Sequence, residues 1–271
     1  MNTNKNNEKK LKPSKDHIII RETIREAGKI ALKWFEKDPK TWKKNDGSDV
    51  SEADIEIDNY LQQTLTKKIN KVGWLSEENK DNQTRLDFDK VLLVDPIDGT
   101  KSFLEKKKDF CISIALVLKG RPISGLILNP IKNELYEAEL NKGSWLNSKQ
   151  IFTTKATNLE NSNMCAFRPM FFHPAWKRPW PKMNIINKNS IAYRMSLVAK
   201  GEFDAMMALN KKNDWDLAAG DLIISEAGGK VTDHKGRKLI YNKNKTIKKS
   251  IIGSCRNLHP KIIERVEEID L

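Results

Sequence analysis

Residues 91–103 of the 271-residue chain read VLLVDPIDGTKSF. Four apolar, β-forming residues lead into an Asp-Pro-x-Asp-Gly-Thr turn, so the pattern predicts a buried strand that carries Asp95 and Asp98 at its end. Pro96 restricts φ within the turn, and Gly99 lets backbone N–H groups approach an anion closely. Two carboxylates held by one rigid turn indicate a binding site for a hard cation.

Two further acidic motifs accompany this turn. Asp-Pro and Asp-Gly are common turn dipeptides, and on their own they would indicate a turn and nothing else. Upstream, however, WLSEE at residues 74–78 ends an apolar stretch with Glu77 and Glu78. Downstream, DWDLAAG at residues 214–220 opens an apolar helix with Asp216 in its first turn. Turn formation alone does not account for the three motifs together.

In this order the three motifs resemble the inositol monophosphatase superfamily of magnesium-dependent, lithium-sensitive phosphatases, which includes the 3′(2′),5′-bisphosphate nucleotidases. The combination of DPIDGT with WD-x-AAG is the most specific part, and the resemblance runs from about residue 18 to about residue 252. DVSEAD at residues 49–54 is similar to a segment that supports the site in this family, and GSWLN at residues 143–147 to a recurring hairpin. The resemblance implies an α/β fold with αβαβα layers.

The resemblance also implies a metal site for two or three Mg²⁺ ions. Magnesium prefers six oxygen ligands and uses few carboxylates, which leaves positions for water and phosphate. One ion is expected between Glu77, Asp95 and the carbonyl of Ile97, where it would activate a water molecule. A second is expected between Asp95, Asp98 and Asp216, where it would stabilise the leaving oxygen. The implied reaction is hydrolysis of a small-molecule phosphate monoester without a covalent enzyme intermediate.

Catalytic and substrate-binding roles follow from the same resemblance. Glu77 and Thr100 are expected to help activate the water, with Asp54 bonding toward Thr100. Structural alternatives stay open for Asp54 and Asp216, because a carboxylate in the first turn of a helix is favourable without any further role. Glu78 is interpreted as a solvated neighbour of Glu77. The expected substrate-binding residues are Ile97, Asp98, Gly99, Thr100, Lys101, Ser190 and Asp216.

The choice of phosphate ester depends on a few positions. Inositol phosphatases of the superfamily usually follow Asp-Gly-Thr with Thr-Asn-Phe, whereas the nucleotidases tend to carry Lys-Glu-Phe, so Lys101 favours a nucleotidase. Alignment places Ala208 or Leu209 where the inositol enzymes have a glutamate that binds sugar hydroxyls. The leading hypothesis is hydrolysis of adenosine 3′,5′-bisphosphate to AMP, and inositol monophosphatase is the alternative. Ser102 keeps histidinol-phosphate phosphatase as a third candidate.

The charge balance suits anionic partners. The chain has 49 Lys and Arg against 36 Asp and Glu, a formal net charge of +13. The lysines are scattered and form no arginine-rich stripe with stacked aromatics, so we expect no specific nucleic-acid partner. A hypothesis from another class is a basic nucleic-acid-binding protein with a vestigial metal site. It predicts steeply salt-dependent binding without hydrolysis.

Other features of the sequence bound the location and organisation of the protein. The three cysteines are widely separated and form no C-x-x-C pair, so neither a zinc site nor a disulfide framework is predicted. No stretch approaches the roughly 18 apolar residues of a membrane span, and the first 15 residues lack the apolar core of a secretory signal, so a cytoplasmic protein is expected.

Residues 1–14 are predicted as a disordered tail, 15–150 as a half with most metal ligands, and 151–271 as the half that completes the site. A homodimer is a candidate assembly.

Periodicity predicts the main elements. Helices are predicted at 14–35, from Ser51 onward, at 191–200, and from Asp214, as its cap, to Gly228. Strands are predicted at 91–94, 111–118, 122–128, 134–140, 164–167 and 203–207. The four histidines show no spacing of a ligand set and are interpreted as surface or packing residues. In the aromatic segment 167–183, Arg168, Lys177 and Arg178 either reach a second phosphate or belong to an ordinary packed loop.

Overall fold

The computed structural model describes residues 12–44, 47–174 and 176–271. Within them the helices are α1 (Lys15–Phe35), α2 (Glu52–Lys68), α3 (Thr100–Leu104), α4 (Ile191–Ala199), α5 (Asp214–Glu226) and α6 (His259–Val266). The strands are β1 (Thr41–Lys43), β2 (Asp49–Ser51), β3 (Val72–Ser76), β4 (Lys90–Asp98), β5 (Cys111–Leu118), β6 (Arg121–Asn129), β7 (Glu134–Glu139), β8 (Ser144–Leu146), β9 (Lys149–Ile151), β10 (Asn163–Ala166), β11 (Asn184–Ile186), β12 (Ala205–Ala208), β13 (Lys212–Asn213), β14 (Gly229–Thr232), β15 (Ile247–Lys248) and β16 (Ile251–Cys255).

Seven strands form the larger sheet, in the order β3-β4-β5-β6-β7-β8-β9. Only the β3–β4 pair is parallel among these described strands. Both faces of β4 are buried: Leu92 and Val94 pack with α1 and α2, whereas Val91 and Leu93 pack with α4 and α5. A strand that is covered on both faces reads as a continuous apolar run, which explains the pattern at residues 91–94.

A second sheet has the order β11-β10-β12-β16-β14. Strand β10, next to the edge strand β11, is parallel to both β11 and β12. Cys165 and Met206 face the layer of α4 and α5, whereas Met164 and Met207 face α6. The layers therefore run α1/α2, first sheet, α4/α5, second sheet, α6, which confirms the predicted αβαβα arrangement.

Helix starts follow the capping chemistry of the sequence. Ser14 caps α1, where its hydroxyl accepts the His17 N–H at 3.3 Å. The predicted N-cap of α5 was wrong by one residue: Asn213 is the cap, in a capping box with Asp216. Asp214 is the first helical residue instead, and its buried carboxylate forms an ion pair with Lys248 at 2.5 Å.

The strand predictions for β4, β5, β6, β7, β10 and β12 are confirmed to within a few residues at each end. The largest difference is β4, which continues through the acidic turn to Asp98, with an irregularity in its pairing to β5 between Asp95 and Asp98. The predicted tail lies outside the described residues as far as residue 11, and the division near residue 150 stays a prediction. No helix in the described ranges has the length and apolar character needed to cross a membrane.

The buried histidines and cysteines are part of the packed interior. His17, His234 and His259 are buried and lie within hydrogen-bonding distance of serine or threonine hydroxyls, which supports the packing interpretation for these three. All three cysteines are buried and free, in agreement with the absence of a predicted disulfide framework.

Candidate active site

The acidic turn is fixed by a hydrogen bond within it and by close packing around Gly99. Asp95 is only 2% exposed, and its Oδ1 accepts the Ile97 N–H at 3.0 Å. Gly99 has φ +97°, and a Cβ placed there would lie 3.1 Å from the Asp109 carbonyl oxygen and 3.2 Å from the Ser190 Cβ. Glycine is therefore required both by conformation and by space. α3 starts directly after it, at Thr100.

Three carboxylates from distant parts of the chain meet at this turn. One carboxylate oxygen from each of Glu77, Asp95 and Asp216 lies within 4.8 Å of the others. Glu77 follows β3, and its N–H donates to the Val94 carbonyl at 3.2 Å, which continues the parallel pairing of β3 with β4. Asp216 comes from the first turn of α5, in the layer between the two sheets. The sheet and the helix layer together bring the three predicted ligands into one cluster.

Burial and mutual repulsion both disfavour the ionised form of this cluster. Burial is the main cause that raises the pKa of Asp95 well above its usual range, and the charges of Glu77, Asp98 and Asp216 add to it. The pKa of Asp216 is raised for the same reasons. Buried carboxylates without enough positive charge nearby either take up protons or bind cations. The oxygen-only donor set of the cluster fits a hard divalent ion such as Mg²⁺.

Asp98 is held differently from the other three acids. Its Oδ2 accepts the Ser190 hydroxyl at 2.6 Å and the Ala192 N–H at 2.5 Å, and its Oδ1 accepts the Ile191 N–H at 3.3 Å. These donors surround the start of α4, where negative charge is favoured. They offset part of the rise that burial causes in the pKa of Asp98. Ser190 itself is fully buried, so the structure places its hydroxyl on Asp98, and its predicted contact with substrate stays a prediction.

The predicted contact between Thr100 and Asp54 is present. The Thr100 hydroxyl lies 3.1 Å from Asp54 Oδ1 and 3.1 Å from the Ile97 carbonyl oxygen. Asp54 Oδ2 accepts both the N–H and the hydroxyl of Ser51, so the same residue also serves the start of α2. Burial raises the pKa of Asp54 to about 6, against the lowering effect of these hydrogen bonds. The contacts with Ser51 therefore support a structural role for Asp54, and the contact with Thr100 supports its functional role.

Lys44 is a site residue that the sequence reasoning missed. Its ammonium lies 2.9 Å from Glu77 Oε1 and 2.7 Å from Glu78 Oε1. The interpretation of Glu78 as solvated was wrong, because its side chain is only 4% exposed and is covered where Lys44 reaches it. Burial raises the pKa of Glu78 to about 7, although Lys44 acts in the opposite direction. Lys44 lies outside every motif quoted above, so no sequence signal marked it.

A cavity of about 260 Å³ opens over the cluster. It is lined by eight of the predicted residues, and Ser190 and Asp54 lie behind its wall. This volume is at the small end for ligand sites, so it suits a phosphate group with metal ions, and the organic part of an ester would extend beyond it. The lining residues are Ser48, Asp49, Glu77, Asp95, Ile97, Asp98, Gly99, Thr100, Lys101, Asn189, Ile191, Lys212 and Asp216.

The aromatic segment is a packed structure. Trp180 contacts the rings of Phe171 and Trp176 edge to face, with ring centroids 5.1 and 5.3 Å apart. Lys177 and Arg178, which were candidates for a second phosphate, instead form ion pairs with Glu268 and Glu264 near the C-terminus. The prediction of an ordinary packed loop was the better one for these two cations.

Comparison with known proteins finds similarity over most of the chain. A sequence model described as the inositol monophosphatase family matches residues 14–271. The inositol-1-monophosphatase of Caulobacter vibrioides is 31% identical over 236 residues, 83% of this chain and 89% of the relative. The 3′(2′),5′-bisphosphate nucleotidase CysQ of Haemophilus influenzae is 27% identical over 230 residues, 82% of this chain and 86% of the relative. Among solved structures, the extragenic suppressor protein suhB from Bartonella henselae superposes with a TM-score of 0.80 at 26% identity, covering 93% of this chain and 98% of that one.

Proposed function

The chain belongs to the inositol monophosphatase family, and we propose that this metal-dependent phosphoric monoester hydrolase is a 3′(2′),5′-bisphosphate nucleotidase that uses Mg²⁺. The proposed reaction is hydrolysis of adenosine 3′,5′-bisphosphate to AMP and phosphate. The observation that carries the metal-dependent hydrolysis is the meeting of the Glu77, Asp95 and Asp216 carboxylates within 4.8 Å at the mouth of the acidic turn.

The proposed metal ligands are one carbonyl and four of the five acids that line the cavity, all except Asp49. Glu77, Asp95 and the Ile97 carbonyl would hold one ion, and Asp95, Asp98 and Asp216 would hold another. Bound Mg²⁺ would lower the pKa of a coordinated water and neutralise charge on the phosphate. Since Asp95 belongs to both sets, its carboxylate is the ligand on which the whole arrangement depends.

The residues of the chain supply the proton handling and the positioning. Glu77 is part-exposed toward the cavity, so its carboxylate is available to accept a proton from an attacking water. Thr100 assists, because its hydroxyl donates to Asp54 and keeps its oxygen lone pairs for the water. Asp54, with its pKa of about 6, is mostly ionised at neutral pH and accepts this hydrogen bond. The backbone N–H groups of Gly99 and Thr100 are proposed to bind the phosphate.

The nucleotide substrate is supported by the rim of the cavity. Ala208 is buried at the end of β12, and Leu209 packs against the apolar cluster beneath α6, so neither position offers a carboxylate for sugar hydroxyls. The rim carries Lys101 and Lys212 instead. Ser102, the basis for histidinol phosphate as a candidate, is buried and does not line the cavity, which leaves that candidate without support from the site.

Inositol monophosphatase is the second candidate. The observation in its favour is the Caulobacter vibrioides relative of that name, which is more similar in sequence to this chain than the nucleotidase relative is, at 31% against 27% identity. A polyol phosphate needs no second cation at the rim, so this candidate explains the metal cluster but not Lys212.

The test compares Mg²⁺-dependent phosphate release from adenosine 3′,5′-bisphosphate and inositol 1-phosphate. Asp98→Asn is expected to lower the rate by at least about 100-fold, because the variant loses a charged ligand at the reacting phosphate. Asp89→Asn, at an exposed carboxylate at the start of β4, is the matched control and should keep the wild-type rate.

Each outcome of this comparison has a defined meaning. Faster release from the nucleotide supports the proposal, whereas faster release from inositol phosphate replaces it with the second candidate. No release from either ester, together with tight and salt-dependent binding of RNA or DNA, would support the nucleic-acid-binding hypothesis instead.

A further inference from the structure

Two lysines stand at the rim of the acidic cavity from opposite parts of the chain. Lys101 lies in α3, directly after the acidic turn, and Lys212 lies in β13, directly before α5. Within the described ranges neither ammonium forms an ion pair. Lys212 Nζ donates to the carbonyl of Lys211 at 3.2 Å. Glu105, one turn after Lys101, bonds Lys107 at 2.6 Å instead.

The other two lysines beside the site contrast with this pair. Lys44 is bound to Glu77 and Glu78, and Lys188 lies 3.2 Å from Asp109. Their charges are therefore already matched by carboxylates of the protein. Lys101 and Lys212 are the described lysines that line the cavity without a carboxylate within ion-pair distance, although the charge of Lys212 acts on Asp216 from further away.

Metal ions and rim lysines have separate tasks in such a cavity. The phosphate that is cleaved requires contact with the metal ligands at the bottom of the cavity, and bound divalent ions would balance its charge. The two lysines are not needed for that balance. An ammonium group is a strong donor to phosphate oxygens, so two unpaired ammonium groups at one rim favour a further phosphate.

The position of Lys212 in the fold agrees with a substrate contact. β10, β11 and β12 run parallel, and their carboxyl ends lie at one edge of the second sheet. Ligands of α/β sheets bind outside the carboxyl ends of parallel strands. Lys212 follows the end of β12, and Asn189 follows the end of β11, and both line the cavity.

We propose that Lys101 and Lys212 bind a second phosphate of the substrate and so make the enzyme selective for bisphosphorylated nucleosides over monophosphates. This inference rests on the proposed function, because it assigns the recognition of the group that is not cleaved. It adds Lys212, which the sequence reasoning did not identify, as a specificity-determining residue.

The test uses two substrates that differ only in the second phosphate, adenosine 3′,5′-bisphosphate and 3′-AMP. Lys101→Ala, Lys212→Ala and the double variant are compared with Lys211→Ala, a neighbouring exposed lysine that does not line the cavity. Each single variant is expected to raise KM for the bisphosphate about tenfold and the double variant about 100-fold, from the usual strength of charged hydrogen bonds. The change for 3′-AMP should be several times smaller, and Lys211→Ala should resemble wild type.

Three results would overturn the inference while the proposed hydrolysis stands. The first is that the lysine variants impair hydrolysis of both substrates equally. The second is that the wild-type enzyme shows no preference for the bisphosphate. The third is that a changed Mg²⁺ activation constant of the variants accounts for the whole effect. If no ester is hydrolysed, the proposed function fails, and the inference about Lys101 and Lys212 is then tested by ligand binding alone. Calorimetry in Ca²⁺ should then show tighter binding of the bisphosphate than of 3′-AMP by wild type, with the difference absent in the double variant; any other result contradicts it.

Discussion

Asp95→Asn is expected to stabilise the metal-free protein while it removes the response to magnesium. The Asp95 carboxylate is buried beside those of Glu77 and Asp216, and no cationic side chain in the described residues contacts it. The substitution keeps the shape of the side chain. Its amide oxygen can still accept the Ile97 N–H, which lies 3.0 Å from Oδ1 in the wild-type protein.

The magnitude follows from the geometry of the cluster. Two unit charges at 4.8 Å, the upper limit of the separations in the cluster, repel by about 3.5 kcal/mol at an effective dielectric constant of 20, so two such pairs at Asp95 amount to at least about 7 kcal/mol. Keeping one carboxyl protonated at pH 7 costs only about 4 kcal/mol, since each pKa unit is worth about 1.4 kcal/mol. We therefore expect the metal-free cluster to take up a proton at neutral pH. Because Lys44 offsets part of the charge on Glu77, we expect Asp95→Asn to gain about 2 kcal/mol.

The sign of the pH dependence follows from the raised pKa values. The pKa values of Asp95 and Asp216 are higher in the folded protein than in the unfolded chain. At pH values between the unfolded-state and the folded-state pKa, the folded protein therefore binds more protons than the unfolded chain does. Stability of the metal-free protein is therefore lost as the pH rises from about 4. Asp54 and Glu78, with pKa values of about 6 and about 7, extend this loss to neutral pH. The decline should be visible between pH 5 and 7, where ordinary carboxylates are already ionised.

Scanning calorimetry in EDTA and in excess Mg²⁺ measures both effects. In EDTA, Asp95→Asn should melt about 4–8 °C above wild type, and its melting temperature should fall less between pH 5 and 7. Wild type should gain about 2.7 kcal/mol in Mg²⁺ at 100 times Kd, and the variant much less. Asp214→Asn is the opposite-sign control, because it breaks a buried ion pair with Lys248 and should destabilise. An Asp95→Asn protein that melts at or below wild type in EDTA would refute the reasoning.

Three further substitutions test how the site is held. Gly99→Ala places a Cβ 3.1 Å from the Asp109 carbonyl oxygen at φ +97°. The free energy of unfolding, measured by denaturant titration, should therefore fall by about 1–3 kcal/mol. An unchanged midpoint would contradict the requirement for glycine at this position. Ser190→Ala removes a hydrogen bond that lowers the pKa of Asp98, so the acid limb of the profile of kcat/KM against pH should move to higher pH; a shift to lower pH would be inconsistent with this role. Thr100→Val should lower kcat about 100-fold with little change in Tm, whereas an equal loss of both would indicate a structural role.

The longer helices and most of the longer strands were predictable from sequence. The strand that precedes the acidic turn and the helix that begins after Ser51 follow from apolar runs, alternation and capping residues, which act over a few positions. The α5 cap was predicted one residue late because Asn213 and Asp214 are both good caps, and only the burial of Asp214 against Lys248 distinguishes them. The tertiary pairing with a distant lysine therefore decided a boundary that propensity left ambiguous.

The members of the acidic site were also predictable, but their partners were not. Glu77, Asp95, Asp98 and Asp216 carry their residue types in recognisable motifs, and all four line one cavity. The motifs contain no information on Lys44, which covers Glu78, or on the start of α4, which binds Asp98. Those contacts join positions that are 34 and 94 residues apart.

By itself the sequence determined six of the described strands, the starts of α1, α2 and α4, the rigid turn and the acidic side chains, because backbone preferences and turn chemistry are local. Only the tertiary structure decided which carboxylates meet, which acid is held by helix N–H groups, and which lysines stay unpaired at the rim. Packing of two sheets around α4 and α5 sets those distances, and burial within that packing sets the charges. Short sequence motifs therefore specify the residue types of this site, whereas its electrostatics and its selectivity arise from contacts across the layers.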